Sequence, residues 1–435
     1  MDDVSQKPPV AVVGGGLAGL AAAAHLARAG RPTVVFERAP QPGGRAVTHE
    51  TEGFRMNLGP HALYRGCEAM DVLHGLGIEP LGKVPPATGA HAVARGEKHT
   101  LPAGLVSLVT TGLLPLPAKL EVARLLAGLA RLDPSPLERT SLQEGLPTLV
   151  RHSAAQAFVQ ALVRLTSYAD DPLHASAGAA LAQLQRALAH GVLYLDGGWQ
   201  QLVDGLRRAA ETAGARVVSD ARVAAVEHDE AVEAVRLADG TRVPVSGVIL
   251  AVPPAEAAGL LGGGARAEVQ AWAAAALPVR AACLELGLAS LPRPRSLFAL
   301  GVDRPLYLSV HSATARLAPA GKALVHVAKY LGPGTHDAKA DERELEGLLD
   351  LVQPGWRTAV VTRRYLPAMT VSHALVTAAG GGLAGRPGPA LASLRGCWVA
   401  GDWVGAQGML ADASLASARR AAQLALTVPL ARAAA

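Results

Sequence analysis

Aromatic residues make up only 3% of this 435-residue chain, so any core must be assembled from Ala, Leu and Val. Charged residues are also few, at 18%, while half of the chain is hydrophobic, a balance that excludes extended disorder. Lysine is scarce, and most of the 41 cations are arginine. They form no basic run and no patch interleaved with rings, so the net charge of +5 argues against a nucleic-acid partner. Attraction to an anionic membrane surface stays compatible with that charge. Cysteine is limited to Cys67, Cys283 and Cys397, odd in number and far apart. This excludes a disulfide framework, shows no metal-ligand spacing, and points to reduced thiols in the cytoplasm. The N-terminus Met1-Asp-Asp-Val-Ser-Gln-Lys7 lacks the apolar core of a signal peptide. No unit of solenoid length repeats, and the chain is long enough for two or three domains.

Thr100 to Ala118 carries no charge over nineteen residues, nearly the length needed to span a bilayer. Pro102, Gly104, Gly112, Pro115 and Pro117 interrupt it, which excludes a membrane-spanning helix. Two readings remain: a buried or capping helix, or a greasy patch that dips into a membrane, peripheral to its inner face, to collect an apolar substrate.

What the chain does have is a strand, glycine-rich turn, helix, strand and acid in immediate succession. Val10 to Val13 form an apolar run, Leu17 to Ala29 are helix formers ended by Gly30, and Thr33 to Phe36 form a second strand tipped by Glu37. Gly14 suits the tight turn, Gly16 the approach of backbone to a pyrophosphate, and Gly19 the close packing of helix on strand. Leu17 and Ala18 open the helix, whose free N–H groups and positive end favour that pyrophosphate. Glu37 is placed to accept from a ribose, with Arg38 beside it. The hexapeptide Gly14-Gly-Gly-Leu-Ala-Gly19 recurs unchanged as Gly380-Gly-Gly-Leu-Ala-Gly385. There Pro387 and Pro389 forbid the following helix, so the second copy reads as a plain loop.

Fragments of one α/β domain recur along the chain: Val10 to about Gly82, then a segment opening at Asp196-Gly-Gly-Trp199, then Cys397-Trp-Val-Ala-Gly401-Asp402. The second fragment carries a helix from Gln200 to Ala213, strands near 216–218 and 223–228, a hairpin at Asp239-Gly240 and an apolar strand ending at Pro253-Pro254. The expected fold class is α/β: a Rossmann-like domain of residues 1–82, 190–264 and 378–435, with a mixed α+β substrate domain of 83–189 and 265–377. In the latter, helices are expected at 118–132, 141–150 and 154–168, and strands at 306–311 and 324–330.

Three further segments accompany the fingerprint: Pro42-Gly43-Gly44-Arg45, then Gly53-Phe-Arg-Met-Asn57-Leu58-Gly59-Pro60-His61, then Gly401-Asp402-Trp403 with Gly408-Met409-Leu410-Ala411-Asp412-Ala413. In this order they resemble the superfamily of flavin-dependent phytoene desaturases, protoporphyrinogen oxidases and monoamine oxidases, most closely its desaturase-like members. The resemblance is specific over about residues 8–66 and 396–422. It implies an amine-oxidase-like two-domain fold and bound FAD. It further implies that Gly43, Gly44 and Arg45 pass the pyrophosphate and flavin, that Gly59, Pro60 and His61 approach the flavin, and that Val223 pairs with the adenine. Gly401 and Asp402 would receive the ribityl or pyrophosphate, and Gly408, Met409, Leu410 and Ala413 would bring a helix N-terminus to the pyrimidine end. Asn57 stands where the family often has an acid.

The catalytic group is open; His61, Lys329 and Tyr365 are the candidates. Lys329 is one of few lysines in the region where many amine oxidases place one over the flavin. Tyr307 and His311, with Arg364, Tyr365 and Met369, are candidates for the substrate pocket. The implied reaction is removal of hydride from a C–C bond of an apolar, carotenoid- or lipid-like molecule, with oxygen or a quinone as electron acceptor. Oxidation of amines or amino acids, using Lys329 and an aromatic pair near Trp403, is the alternative, with protoporphyrinogen oxidation a third. A redox-neutral isomerase is a reading of another class. A nicotinamide-dependent dehydrogenase is disfavoured, because it would leave Gly43-Gly44-Arg45 and Gly401-Asp402 without a role.

Overall fold

The computed structural model describes residues 8–86 and 88–428. The N-terminal segment read above as lacking a signal peptide lies almost wholly outside them. A five-stranded parallel sheet runs in the order Arg216–Val218, Thr33–Phe36, Val10–Val13, Gly247–Leu250, Cys397–Val399. Four of its strands are short apolar runs buried on both faces, as parallel strands covered on both sides must be, while the edge strand Arg216–Val218 is partly exposed. Successive side chains alternate between two cores. Val10, Val12, Val35, Ile249 and Trp398 face the helices Leu17–Arg28, Gln200–Thr212 and Leu410–Thr427. Ala11, Val13, Val34, Phe36 and Val248 face an antiparallel three-stranded sheet and the helices Pro254–Leu260 and Gly263–Ala275. Alanine at Ala21 to Ala24 lets the first helix lie close to its neighbours, which is how a chain poor in rings fills this layer.

A second, mixed sheet has seven strands, ordered Val360–Ser372, Val279–Leu288, Ala323–Leu331, Leu306–Ser309, Phe298–Gly301, Ala90–Ala94 and Glu97–Thr100. Its period of two sorts the site. Ala282, Leu284, Leu286, Val325 and Val327 pack under the helix Ala338–Val352. Cys283, Ala328 and Tyr330 project from the other face, where Leu366 and Met369 join them.

The helices expected at 118–132, 141–150 and 154–168 are Leu116–Leu129, Leu142–Leu149 and Ser153–Ser167. The segment expected to be largely helical also contributes two strands to the mixed sheet. His311 lies just past its strand, in a 3-10 turn. The second Gly-Gly-Gly-Leu-Ala-Gly copy forms turns. Thr100–Ala118 satisfies neither of its two readings completely: Leu108, Leu113, Leu114 and Ala118 are buried, whereas Leu105, Val106, Val109 and Leu116 are exposed. Among the described residues no helix is long and apolar enough to cross a membrane.

Candidate active site

Between the two sheets lies a cavity of about 950 Å³, at the upper end of the usual range for ligand sites. Its floor is the turn after the first strand. Gly14 has φ of +103°, and a Cβ there would lie 2.6 Å from the carbonyl oxygen of Ala251. A Cβ on Gly19 would overlap the Gly14 carbonyl, so helix and strand touch backbone to backbone. At Gly16, by contrast, a Cβ would meet nothing within 4 Å; it would project into open space at the cavity wall. The helix that Gly16 caps has no side-chain cap and no acid in its first turn. Its first helix bond is donated by Leu20 to Gly16, which leaves the N–H groups of Leu17, Ala18 and Gly19 free for an anion.

Glu37 is buried, and both its oxygens are engaged: Oε2 accepts from the Gly15 N–H at 2.6 Å and Oε1 from the Ala39 N–H at 2.9 Å. Each oxygen keeps a second lone pair, so the group holding the turn can also accept from a ribose. Gly43 N–H donates to the Gly15 carbonyl, bringing Gly43, Gly44 and Arg45 alongside the helix N-terminus. Arg45 Nη1 donates to Asp402 Oδ2 at 2.8 Å and to the Val371 carbonyl at 2.7 Å. Burial would raise the Asp402 carboxyl, but Arg45 and His373 outweigh it and hold it down to about 2.

Of the expected cofactor residues, Gly14, Gly16, Leu17, Ala18, Glu37, Arg38, Gly43, Gly44, Arg45, Pro60, His61, Val223, Gly401, Asp402 and Leu410 line this one cavity. Gly19 lies beneath the floor, and Gly59 lies behind Pro60, its N–H on Glu285. Gly408, Met409 and Ala413 do not line the cavity; Met409 packs with Ala179 and Val376. His61 Nδ1 is 3.0 Å from the Gly59 carbonyl and its ring lies edge-on to Trp199, with centroids 4.8 Å apart. Burial pushes its pKa down, against the opposing pull of hydrogen bonds to the Gly59 and Arg45 backbones.

The candidate side chains of the mixed sheet divide by strand parity. Met369 lines the cavity; Arg364, paired across the strands with Glu285, is not part of the lining. Arg364 is spent on structure: Nε donates to the buried Glu285 at 2.5 Å, and Nη2 donates to the Asn57 carbonyl. Tyr365 corrects the expectation for it. It faces the helix Ala338–Val352, and its hydroxyl donates to the Ala338 carbonyl. Lys329 lies on that same face, not over the cavity, with Nζ donating to Asp341 at 2.6 Å and Glu344 at 3.1 Å. Tyr307 and His311 are buried behind the cavity wall, where His311 stacks on Tyr194 at 3.9 Å between centroids. Asn57 is also structural, its Oδ1 accepting from the Thr48 hydroxyl and the Trp199 N–H.

Several residues escaped the sequence reading. Tyr64, Tyr168, Trp199, Leu366 and His373 line the cavity. Tyr168 ends its helix in a left-handed conformation, and its hydroxyl donates to the Pro60 carbonyl. Only two of them carried a signal: Trp199, from the Asp-Gly-Gly-Trp motif, and Leu366, within the stretch that supplied Arg364, Tyr365 and Met369 as pocket candidates. Arg386, next to the second glycine hexapeptide, donates to the carbonyls of Asp402, Gln407 and Gly408, fixing the loop that carries Asp402. Burial lowers its pKa to about 10. Cys67, Glu68 and Asp412 are close enough to share an ion. Two of them are otherwise engaged: Glu68 pairs with Arg186, and Asp412 accepts from the Ala69 N–H.

Residues 17–282 match the flavin containing amine oxidoreductase family, and the chain belongs to that family. It is therefore a flavin-dependent oxidoreductase, and its cofactor is FAD. A stretch of 54 residues is 59% identical to a phytoene dehydrogenase of Streptomyces griseus, covering 12% of this chain and 11% of that protein. A carotenoid 3,4-desaturase of Haloarcula japonica matches at 48% over 60 residues, 14% of this chain and 12% of its own length. The solved structures that resemble the fold include an oxidoreductase from Methanosarcina mazei, with TM-score 0.77, 20% identity and coverage of 95% and 100% of the two chains. Cyclohexylamine oxidase from Brevibacterium oxydans matches with TM-score 0.72, 16% identity and coverage of 97% and 99%. These structural likenesses establish the shared fold.

Proposed function

We propose that this flavoenzyme dehydrogenates a C–C bond of an apolar, carotenoid- or lipid-like substrate. One observation carries the reading. Leu58, Pro60, Ala62, Tyr168, Leu366 and Met369 form an apolar stretch of the cavity lining, which holds no lysine; the carboxylates of the lining, Glu37, Glu256, Asp402 and Asp412, stand on other elements, and Glu37 and Asp402 are already hydrogen-bonded to protein groups. A protonated amine held against that stretch would shed its hydration with no counter-charge beside it, whereas a hydrocarbon would lose nothing polar. Lys329, on which the amine-oxidase alternative relied, is held in ion pairs on the far face of its strand. The short desaturase matches support the same substrate class.

The residues present suit FAD. The open N-terminus at Leu17 to Gly19 and the Gly43-Gly44 turn would hold the pyrophosphate, Glu37 a ribose, and Val223 the adenine. Arg45, Asp402 and the Leu410 helix end would hold the flavin side. Bound FAD supplies the hydride acceptor. The chain itself excludes water with the Leu366–Met369 wall and holds Pro60 and His61 against the site through Glu285 and Arg364. His61, whose ring lines the cavity, is the group placed to take up a released proton. Support for the proposed two-domain division (1–82, 190–264 and 378–435 against 83–189 and 265–377) comes from the sheets, since every strand of the parallel sheet falls in the first set and every strand of the seven-stranded sheet in the second.

The test is an anaerobic visible spectrum of the FAD-loaded protein, titrated with a polyene precursor in detergent and, separately, with a panel of amines. Bleaching by the polyene, with a desaturated product, is expected. Bleaching by an amine alone would overturn the reading. Conversion of the polyene without net oxidation would replace the desaturase with an isomerase.

A further inference from the structure

The helices Leu105–Thr110 and Leu116–Leu129 carry an apolar surface that the fold leaves uncovered. Leu105, Val106, Val109, Leu116 and Leu120 are 64–77% exposed, more than any other large hydrophobic among the described residues. The undersides of the same helices, at Leu108, Leu113, Leu114, Ala118, Val122 and Leu125, are packed into the core, so the exposed set is a second apolar face and not a sign of poor folding.

The charge on these helices is mostly of one sign, with the exposed acid Asp133 lying beyond their end. Lys119, Arg124 and Arg131 lie on or just past the second helix, and none has a carboxylate partner among the described residues. Glu121, the only acid between Leu105 and Arg131, is turned away: Oε2 accepts the N–H groups of Arg151 and His152 at 2.8 Å each. Lys119 Nζ donates to the Val109 carbonyl at 2.6 Å, which ties the two helices together and leaves two ammonium protons free. Apolar side chains beside unpaired cations match a phospholipid boundary, where the former enter the acyl region and the latter meet phosphates. The helices are too short to span a bilayer, so they can only lie on it. The second helix packs on Ser153–Ser167, the helix that ends at the cavity-lining Tyr168.

We propose that this helix pair docks the protein on an anionic lipid surface. Docking does not depend on which bond the flavin oxidises, so it stands or falls separately from the substrate.

The FAD-loaded protein is floated with vesicles of phosphatidylcholine, or of equal parts phosphatidylcholine and phosphatidylglycerol. Binding to the mixed vesicles is expected, weakening as salt is raised. Leu105→Ser combined with Val106→Ser and Val109→Ser should reduce it at least about tenfold, given the apolar area lost. Arg124→Glu should reduce it by about fivefold or more on the mixed vesicles alone. Leu188→Ser, an exposed leucine elsewhere, should change nothing. Each variant should keep its flavin band, which separates lost docking from lost folding. No binding by the parent protein, or an equal loss in Leu188→Ser, would overturn the proposal. So would a dimer in solution that the triple variant converts to monomer, because the face would then belong to a second copy.

Discussion

Arg45 and Asp402 lie 357 residues apart in sequence, yet their side chains meet at 2.8 Å in the wall of the cavity. The bond joins the Gly43-Gly44 turn to the strand end from the far terminus, so the cavity wall closes only when both ends of the chain are in place.

Asp402→Asn should lower stability by roughly 2–3 kcal/mol, because Arg45 and the His373 N–H would lose a buried charge partner. The sign of the pH effect follows from the depressed pKa. The carboxylate contributes its stability in full above the unfolded value near 3.8, and this is lost as pH falls through about 2. Thermal denaturation of parent and Asn variant between neutral pH and pH 2 should converge at the acid end.

Gly16 and Gly19 should fail differently. Gly16→Val adds methyl groups to the space before the helix N-terminus, so FAD should be lost on gel filtration while the apoprotein melts within a few degrees of the parent. Gly19→Ala forces a Cβ against the Gly14 carbonyl, so the fold itself should weaken by about 2 kcal/mol or more. Equal melting temperatures for the two apoproteins would contradict this division.

Lys329→Met should leave the rate of flavin reduction within about twofold, since its ammonium serves Asp341 and Glu344. Stability should fall by about 2–4 kcal/mol, because Asp341 is left buried without its cation. A large loss of reduction rate in a folded variant would return Lys329 to the catalytic site.

His25, in the first helix, should govern stability in mild acid. Burial first, then Arg419 and Arg28, hold its pKa down to about 4. The unfolded chain binds the proton more readily, so this contribution is complete above the ordinary value of 6.5 and is lost as pH falls from 6.5 to 4. The loss is roughly 2–3 kcal/mol. His25→Leu should flatten that part of the curve in a denaturant titration.

The strand-turn-helix and the Glu37 strand were legible because every constraint on them is local: glycine backbone freedom, helix propensity and a two-residue alternation within one βαβ unit. The identical hexapeptide at Gly380–Gly385 shows how far that goes, since two prolines distinguished a plain loop from a turn that opens a helix. The roles of Lys329 and Tyr365 were not legible. On a strand, the choice of face is set by which neighbour covers it, and only the placement of the helix Ala338–Val352 sent both residues away from the cavity.

The sequence by itself determined the flavin family and the strand, Gly14–Gly19 turn and helix, because short-range geometry compels them. Tertiary structure alone decided the Arg45–Asp402 pair, the anchoring of that loop by Arg386, the seating of the Gly59-Pro60-His61 turn on Glu285 and the lysine-free apolar wall. Each depends on segments hundreds of residues apart meeting in space, and side-chain periodicity does not encode which strands will be neighbours.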